Sequence, residues 1–133
     1  MSQSSDNYWP LGYDSYSGTS SFGGMQLSFP GNTAVLDTHS RPMWFVFTNA
    51  AICNDTGTLQ FYTNGVYIAN ALDDTMANGK GLNPSWYTTQ FSNSGLRIPQ
   101  AAISVPYPDH DSLYYLFHIT ADYSLPLGRS KYL

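Results

Sequence analysis

Apolar and polar residues alternate strictly over Met25-Gln26-Leu27-Ser28-Phe29, the period-two signature of a half-buried strand. Pro30-Gly31-Asn32 follows as a turn, and Thr33-Ala34-Val35-Leu36 as a short returning strand. Met43-Trp44-Phe45-Val46-Phe47 is apolar throughout and predicts a strand buried on both faces. Ala50 to Cys53 predicts another strand, Asn54-Asp55-Thr56-Gly57 a tight turn, and Thr58 to Thr63 the return. Asn64-Gly65 is the strongest hairpin signal, because both residue types tolerate positive φ, and Val66 to Ala69 continues the sheet. Residues 71–97 read as loop, marked by Asp73-Asp74, Asn78-Gly79, Gly81 and Asn83-Pro84. A second hairpin is predicted from Ala101–Val105 and Leu113–Ile119, around the turn Pro106 to Asp111. No window carries a helical period, so the predicted class is all-β.

The strands repeat. Asn49-Ala50-Ala51-Ile52-Cys53 parallels Gln100-Ala101-Ala102-Ile103-Ser104: an amide residue, Ala-Ala-Ile, then a small residue, at an offset of 51 (100 − 49). Each copy leads into a turn with Asp, then a hydroxyl residue, Leu, and an aromatic two positions on. The Leu59 to Leu113 offset is 54 (113 − 59), so the second turn is longer. A strand–turn–strand unit recurring every ~50 residues is the spacing of kelch- or WD-type propeller blades. Such blades bury their faces against neighbours, and about two of them cannot close a ring. The expectation is a partial β-propeller-like domain over residues 7–133, truncated at its C-terminus, behind a disordered tail of residues 1–6. Gly128 to Leu133 reads as the start of a further strand.

Composition narrows the function. Of 133 residues, 42% are hydrophobic and 11% charged, with a net charge of -4. All the acids are Asp, and Lys and Arg total 5, which argues against a nucleic-acid partner. Aromatic residues reach 16%, against disorder. The apolar runs are too short for a membrane-spanning helix, so no membrane insertion is expected. Met1 to Asp6 is polar and unlike a signal peptide. Cys53 is alone, so no intrachain disulfide forms, and its apolar setting predicts a buried thiol.

The run Asn49-Ala50-Ala51-Ile52-Cys53-Asn54-Asp55-Thr56-Gly57-Thr58-Leu59-Gln60-Phe61-Tyr62-Thr63-Asn64-Gly65 resembles a recurrent segment of large secreted or surface bacterial proteins. Those proteins carry a C-terminal type IX secretion sorting domain, and some are gliding-motility-associated. Asn7 to Tyr13, Ile68-Ala69-Asn70, Met76 to Pro84, and Pro99 to Ile103 leading into Tyr114 to His118 are similar to the same family. The resemblance implies an N-terminal propeller-like region, an extracellular or cell-surface location, a preceding signal peptide and a long chain after Leu133. It carries no catalytic residue.

Candidate sites each have a structural alternative. Asp55 and Gly57 partly match the Asp-box of sialidase-like propellers, itself a turn device in which Asp accepts turn amides and Gly takes positive φ. Asn64 and Gly65 are likewise read as structural turn residues. A sialidase also wants clustered Arg, and Arg41, Arg97 and Arg129 are scattered. Asp73-Asp74 with Asn78, or Asp109 with Asp111, offers oxygen ligands for Ca²⁺ without the EF-hand spacing, so turn capping is the expectation. His39, His110 and His118 lack metal-ligand spacing, and His118 is expected in sheet packing. Neither a metal nor another cofactor is expected. Trp9, Tyr13, Tyr16, Trp86 and Tyr87 lie near loops, where rings stack on carbohydrate; Trp86 and Tyr87 are the leading candidates. The expected function is therefore a non-enzymatic adhesion or ligand-binding module, with carbohydrate or another surface protein as partner. The alternatives are a piece of a glycan-cleaving enzyme, or a spacer without ligand. An open apolar edge predicts self-association.

Overall fold

The computed structural model describes residues 4–12, 23–121 and 130–131, with Ala121, Ser130 and Lys131 described by backbone alone. The first sheet is antiparallel, in the order β1 (Tyr8–Leu11), β2 (Met25–Ser28), β3 (Val35–Thr38). The second has four strands in sequence order, β4 (Ala50–Cys53), β5 (Leu59–Thr63), β6 (Tyr67–Asn70) and β7 (Thr75–Lys80). One short helix, α1 (Trp86–Gln90), leads to a third sheet, β8 (Ala102–Pro106) with β9 (Tyr114–His118). A two-residue ladder joins β10 (Thr120–Ala121) to β11 (Ser130–Lys131). The chain is all-β, as the alternation predicted, and no sheet closes on itself among the described residues.

β4 is the pivot of the packing. It lies beside β1 on one side and β8 on the other, so the first strands of the three sheets are neighbours. Ala51 and Tyr62, paired across β4 and β5, face the core built from Met43, Phe45 and Ala69. Ile52 and Phe61, the next pair, face the third sheet, where the Tyr114 ring meets Phe61 edge-on at 5.6 Å. A smaller core of Leu96 and Ala101 gathers Tyr87, Ile98 and Ile119. Ser4–Asp6, assigned from sequence to a tail, form one 3-10 turn against β4.

The repeat survives folding, with a change of register. Ile52 stands across from Phe61, and Ile103 across from Phe117. The sequence match pairs Phe61 with Tyr115 instead. The longer second turn lets Phe117 reach Ile103, and because two residues make one strand period, Tyr115 and Phe117 share a face.

Two expectations are corrected. Met43 to Phe47 is no strand: Met43 and Phe45 are buried, but Phe47 is 53% exposed. Its backbone is satisfied by isolated bonds, Phe45 N–H to Gly12 and Asn64 Nδ2 to the Trp44 carbonyl, in place of a ladder. Residues 71–97 are not all loop, for they contain β7 and α1. β7 is almost wholly exposed and shows no alternation, because it is an outer edge strand held by backbone pairing to β6. Ser85 caps α1 by accepting the Thr88 amide. Tyr8–Leu11, not among the strands expected from sequence, is an edge strand, a place that tolerates Pro10.

Candidate functional site

β1, β4 and β8 border a cleft of about 640 Å3. Asn49 and Gln100, the amide residues that open the two copies of the repeat, both line it. The contact of β4 with β8 brings the heads of the two repeats to one cleft. Trp9, Phe47, Asp6 and Ser104 complete the polar and aromatic lining. Trp9 is 49% exposed and Phe47 53%. Phe29 meets the Trp9 ring edge-on at 6.3 Å and limits its rotation. Asn49 Nδ2 donates to the Pro10 carbonyl, tying the cleft wall of β4 to β1. Gln100 holds φ at 52°, the left-handed region, which costs a non-glycine residue about 1 kcal/mol or more.

A second polar cluster lies between the first two sheets. Arg41 is 2% exposed; its Nη1 donates to the Met25 carbonyl at 3.0 Å and Nη2 to Tyr8 Oη at 3.2 Å. Its guanidinium sits 5.7 Å from the Tyr62 ring centre and 5.9 Å from that of Phe45. Tyr8 donates to Gln26 Oε1, Tyr62 donates to Asp73 Oδ1 at 2.6 Å, and His39 Nε2 pairs with Asp73 Oδ2 at 2.8 Å. Burial first, then the bond to Asp73, pushes the Tyr62 phenol well above its usual range. Burial likewise raises Tyr8, partly offset by the Arg41 charge. The cluster is a cross-brace between sheets, buried at Arg41 and Tyr62 and partly open to solvent at the His39–Asp73 pair.

The residues singled out from sequence are dispersed. Gly57 takes φ 81°, and Asn54, not Asp55, organises that turn: Asn54 Oδ1 accepts the amides of Thr56 and Thr58. Asp55 is exposed. In Asn64-Gly65 only Gly65 has positive φ, 83°. Asn64 is buried and bridges Trp44 and Val66. Asn83, also buried, donates to the Gly65 carbonyl and accepts at Oδ1 opposite His118 Nδ1, 3.0 Å away. Asp73 is engaged by Tyr62 and His39, and Asn70 Oδ1 accepts the amides of Leu72 and Asp74 in that turn. Asn78 and Asp109 adopt positive φ, and the His110 ring lies against Tyr107. Arg97 stacks on Phe91 at 4.4 Å. Trp86 is 61% exposed at the start of α1. Tyr87 packs on the Leu96 core and donates to the Arg97 carbonyl. Neither lines the cleft. Tyr13, Tyr16 and Arg129 lie outside the described residues.

Cys53 is buried, and burial pushes its thiol up to about 11, with the amides of Tyr8 and Asn7 opposing. Such a thiol is a poor nucleophile at neutral pH. Among the described residues no three of His, Cys, Asp and Glu gather as a metal site, and no helix is long and apolar enough to cross a membrane. No protein-family model, no curated protein and no solved structure matches the chain.

Sequence reasoning passed over Phe47, Gln100, Asn49 and Asp6 as site residues. The usable signal was the amide at the head of each repeat.

Proposed function

We propose that the protein is a non-enzymatic binding module of propeller-like packing, made for adhesion through carbohydrate at a cell surface. The observation that carries the reading is the cleft lined by Asn49, Gln100 and the exposed rings of Trp9 and Phe47. Amides offer both donors and acceptors to neighbouring hydroxyls, and aromatic faces cover the apolar face of a sugar ring. A rigid cleft with few polar groups among apolar walls is the usual form of a small-ligand site. Hydrolysis of a glycosidic bond ordinarily uses two carboxylates across it, and among the described lining residues Asp6 alone carries one. The contact of β4 with β1 and with β8, the first strands of the neighbouring sheets, supports the propeller-like packing. The surface location rests on the sequence resemblance.

A glycan array probed with the wild type, Trp9→Ala and Gln100→Ala tests the proposal. Selective binding by the wild type, weakened about tenfold or more in both variants, is expected. Blank arrays and no cell binding would leave only a spacer and refute it. Release of free sugar by the wild type would refute the non-enzymatic part.

A further inference from the structure

The internal packing of the sheets points to a partner for the ends of the stack. Tyr8 and Pro10 of β1 face the second sheet, where Tyr8 meets Arg41 and Pro10 is buried. The opposite face of the first sheet carries a cross-strand row, Trp9–Leu27–Leu36, with Leu36 55% exposed. At the other end of the stack, Ile103–Phe117 and Val105–Tyr115 form two rows on the outer face of the third sheet. There Ile103 is 58% exposed, Phe117 57% and Tyr115 44%. The equivalent pair one sheet earlier, Ile52–Phe61, is buried, at 1% and 8%, because the third sheet covers it. So each sheet offers one face to the sheet before and one to the sheet after. The first sheet shows an unused leading face and the third an unused trailing face. None of the residues in these rows is charged.

We propose that the Ile103–Phe117 face of one copy seats on the Trp9–Leu27–Leu36 face of a second copy, head to tail. The contact repeats the sheet-on-sheet packing already present twice within the chain. Its two sides differ, so it is heterologous and propagates into a ring or an open chain of copies. It stands on other observations than the sugar-binding reading and competes with it for Trp9 and Ile103, which both line the cleft.

Sedimentation velocity across the micromolar range tests this with two exposed-face variants, Leu36→Asp and Phe117→Asp. The wild type gains mass with concentration. Each variant alone self-associates about tenfold more weakly or worse, since each spoils one side. An equimolar mixture restores association but stops at one-to-one dimers. One variant supplies an intact trailing face and the other an intact leading face. Circular dichroism checks that both variants fold, and the milder pair Leu36→Ser and Phe117→Ser replaces any that does not. A monomeric wild type, a Leu36 variant that still dimerises, or a mixture that stays monomeric would each overturn the proposal.

Discussion

Ile52 and Ile103 hold the same place in the two repeats but differ in surroundings, so one substitution made twice measures what tertiary packing adds. Ile52 is 1% exposed, stands across from Phe61 and faces the third sheet. Ile→Ala removes three carbon groups, about 2.4 kcal/mol of transfer at ~0.8 each. The cavity left in a closed site raises the total to about 2–5 kcal/mol. Ile103 already keeps 58% of its surface in water. The same truncation there loses about 1 kcal/mol of transfer and leaves no enclosed void. Urea unfolding followed by tryptophan fluorescence, at protein concentrations below self-association, reads the difference. With a slope of about 2 kcal/mol/M, Ile52→Ala lowers the midpoint by about 1–2.5 M and Ile103→Ala by about 0.5 M. If Ile52→Ala leaves too little folded protein, Ile52→Val should still cost about 0.5–1.5 kcal/mol. Equal shifts at the two positions would refute the assignment of the second sheet as covered and the third as open.

Two further perturbations probe the framework. The Cys53 thiol rises from the ordinary 9.0 to about 11 in the folded protein, so stability is fully present below pH 9.0. It falls between there and about 11, because the unfolded chain releases the proton first. Urea midpoints across that window should drop more steeply for the wild type than for Cys53→Ala; parallel curves would contradict the burial of the thiol. Gly65 has φ 83°, and a Cβ there would stand 2.9 Å from Leu96 Cβ, so Gly65→Ala should cost about 2–3 kcal/mol in thermal unfolding. Gly31, at φ 57° with open space around it, is the control and should cost about 1 kcal/mol.

Much of the local structure was legible because it is local chemistry. The alternation of Met25–Ser28 marks a strand, and β2 forms there, but all four residues are half-buried and the polar Gln26 turns to Tyr8 while Leu27 faces outward with Trp9 and Leu36. Ala50–Cys53 and Leu59–Thr63 are strands joined by a turn with positive φ at Gly57. The identity of the turn organiser was not legible. Asn54 and Asp55 both carry an acceptor, and only the direction of the chain decides which one reaches the amides of Thr56 and Thr58. The cleft was legible only in part, through the amides of the repeat. Trp86 and Tyr87 drew attention as loop aromatics, yet the rings at the cleft are Trp9 and Phe47.

The chain's order of apolar, polar and turn residues determined an all-β protein and the position of most of its hairpins. It did so because side-chain period and turn conformation depend on neighbours in sequence. Tertiary structure decided which apolar run became a strand. Met43–Phe47 has the composition for one but is held by isolated bonds to Gly12 and Asn64 in place of a ladder, while exposed Thr75–Lys80 becomes one by pairing with β6. It also decided that Ile52 is core and Ile103 surface, and that Arg41 is buried beneath aromatic rings. Burial depends on what a distant segment covers, and two identical residues in matching repeats carry no record of that.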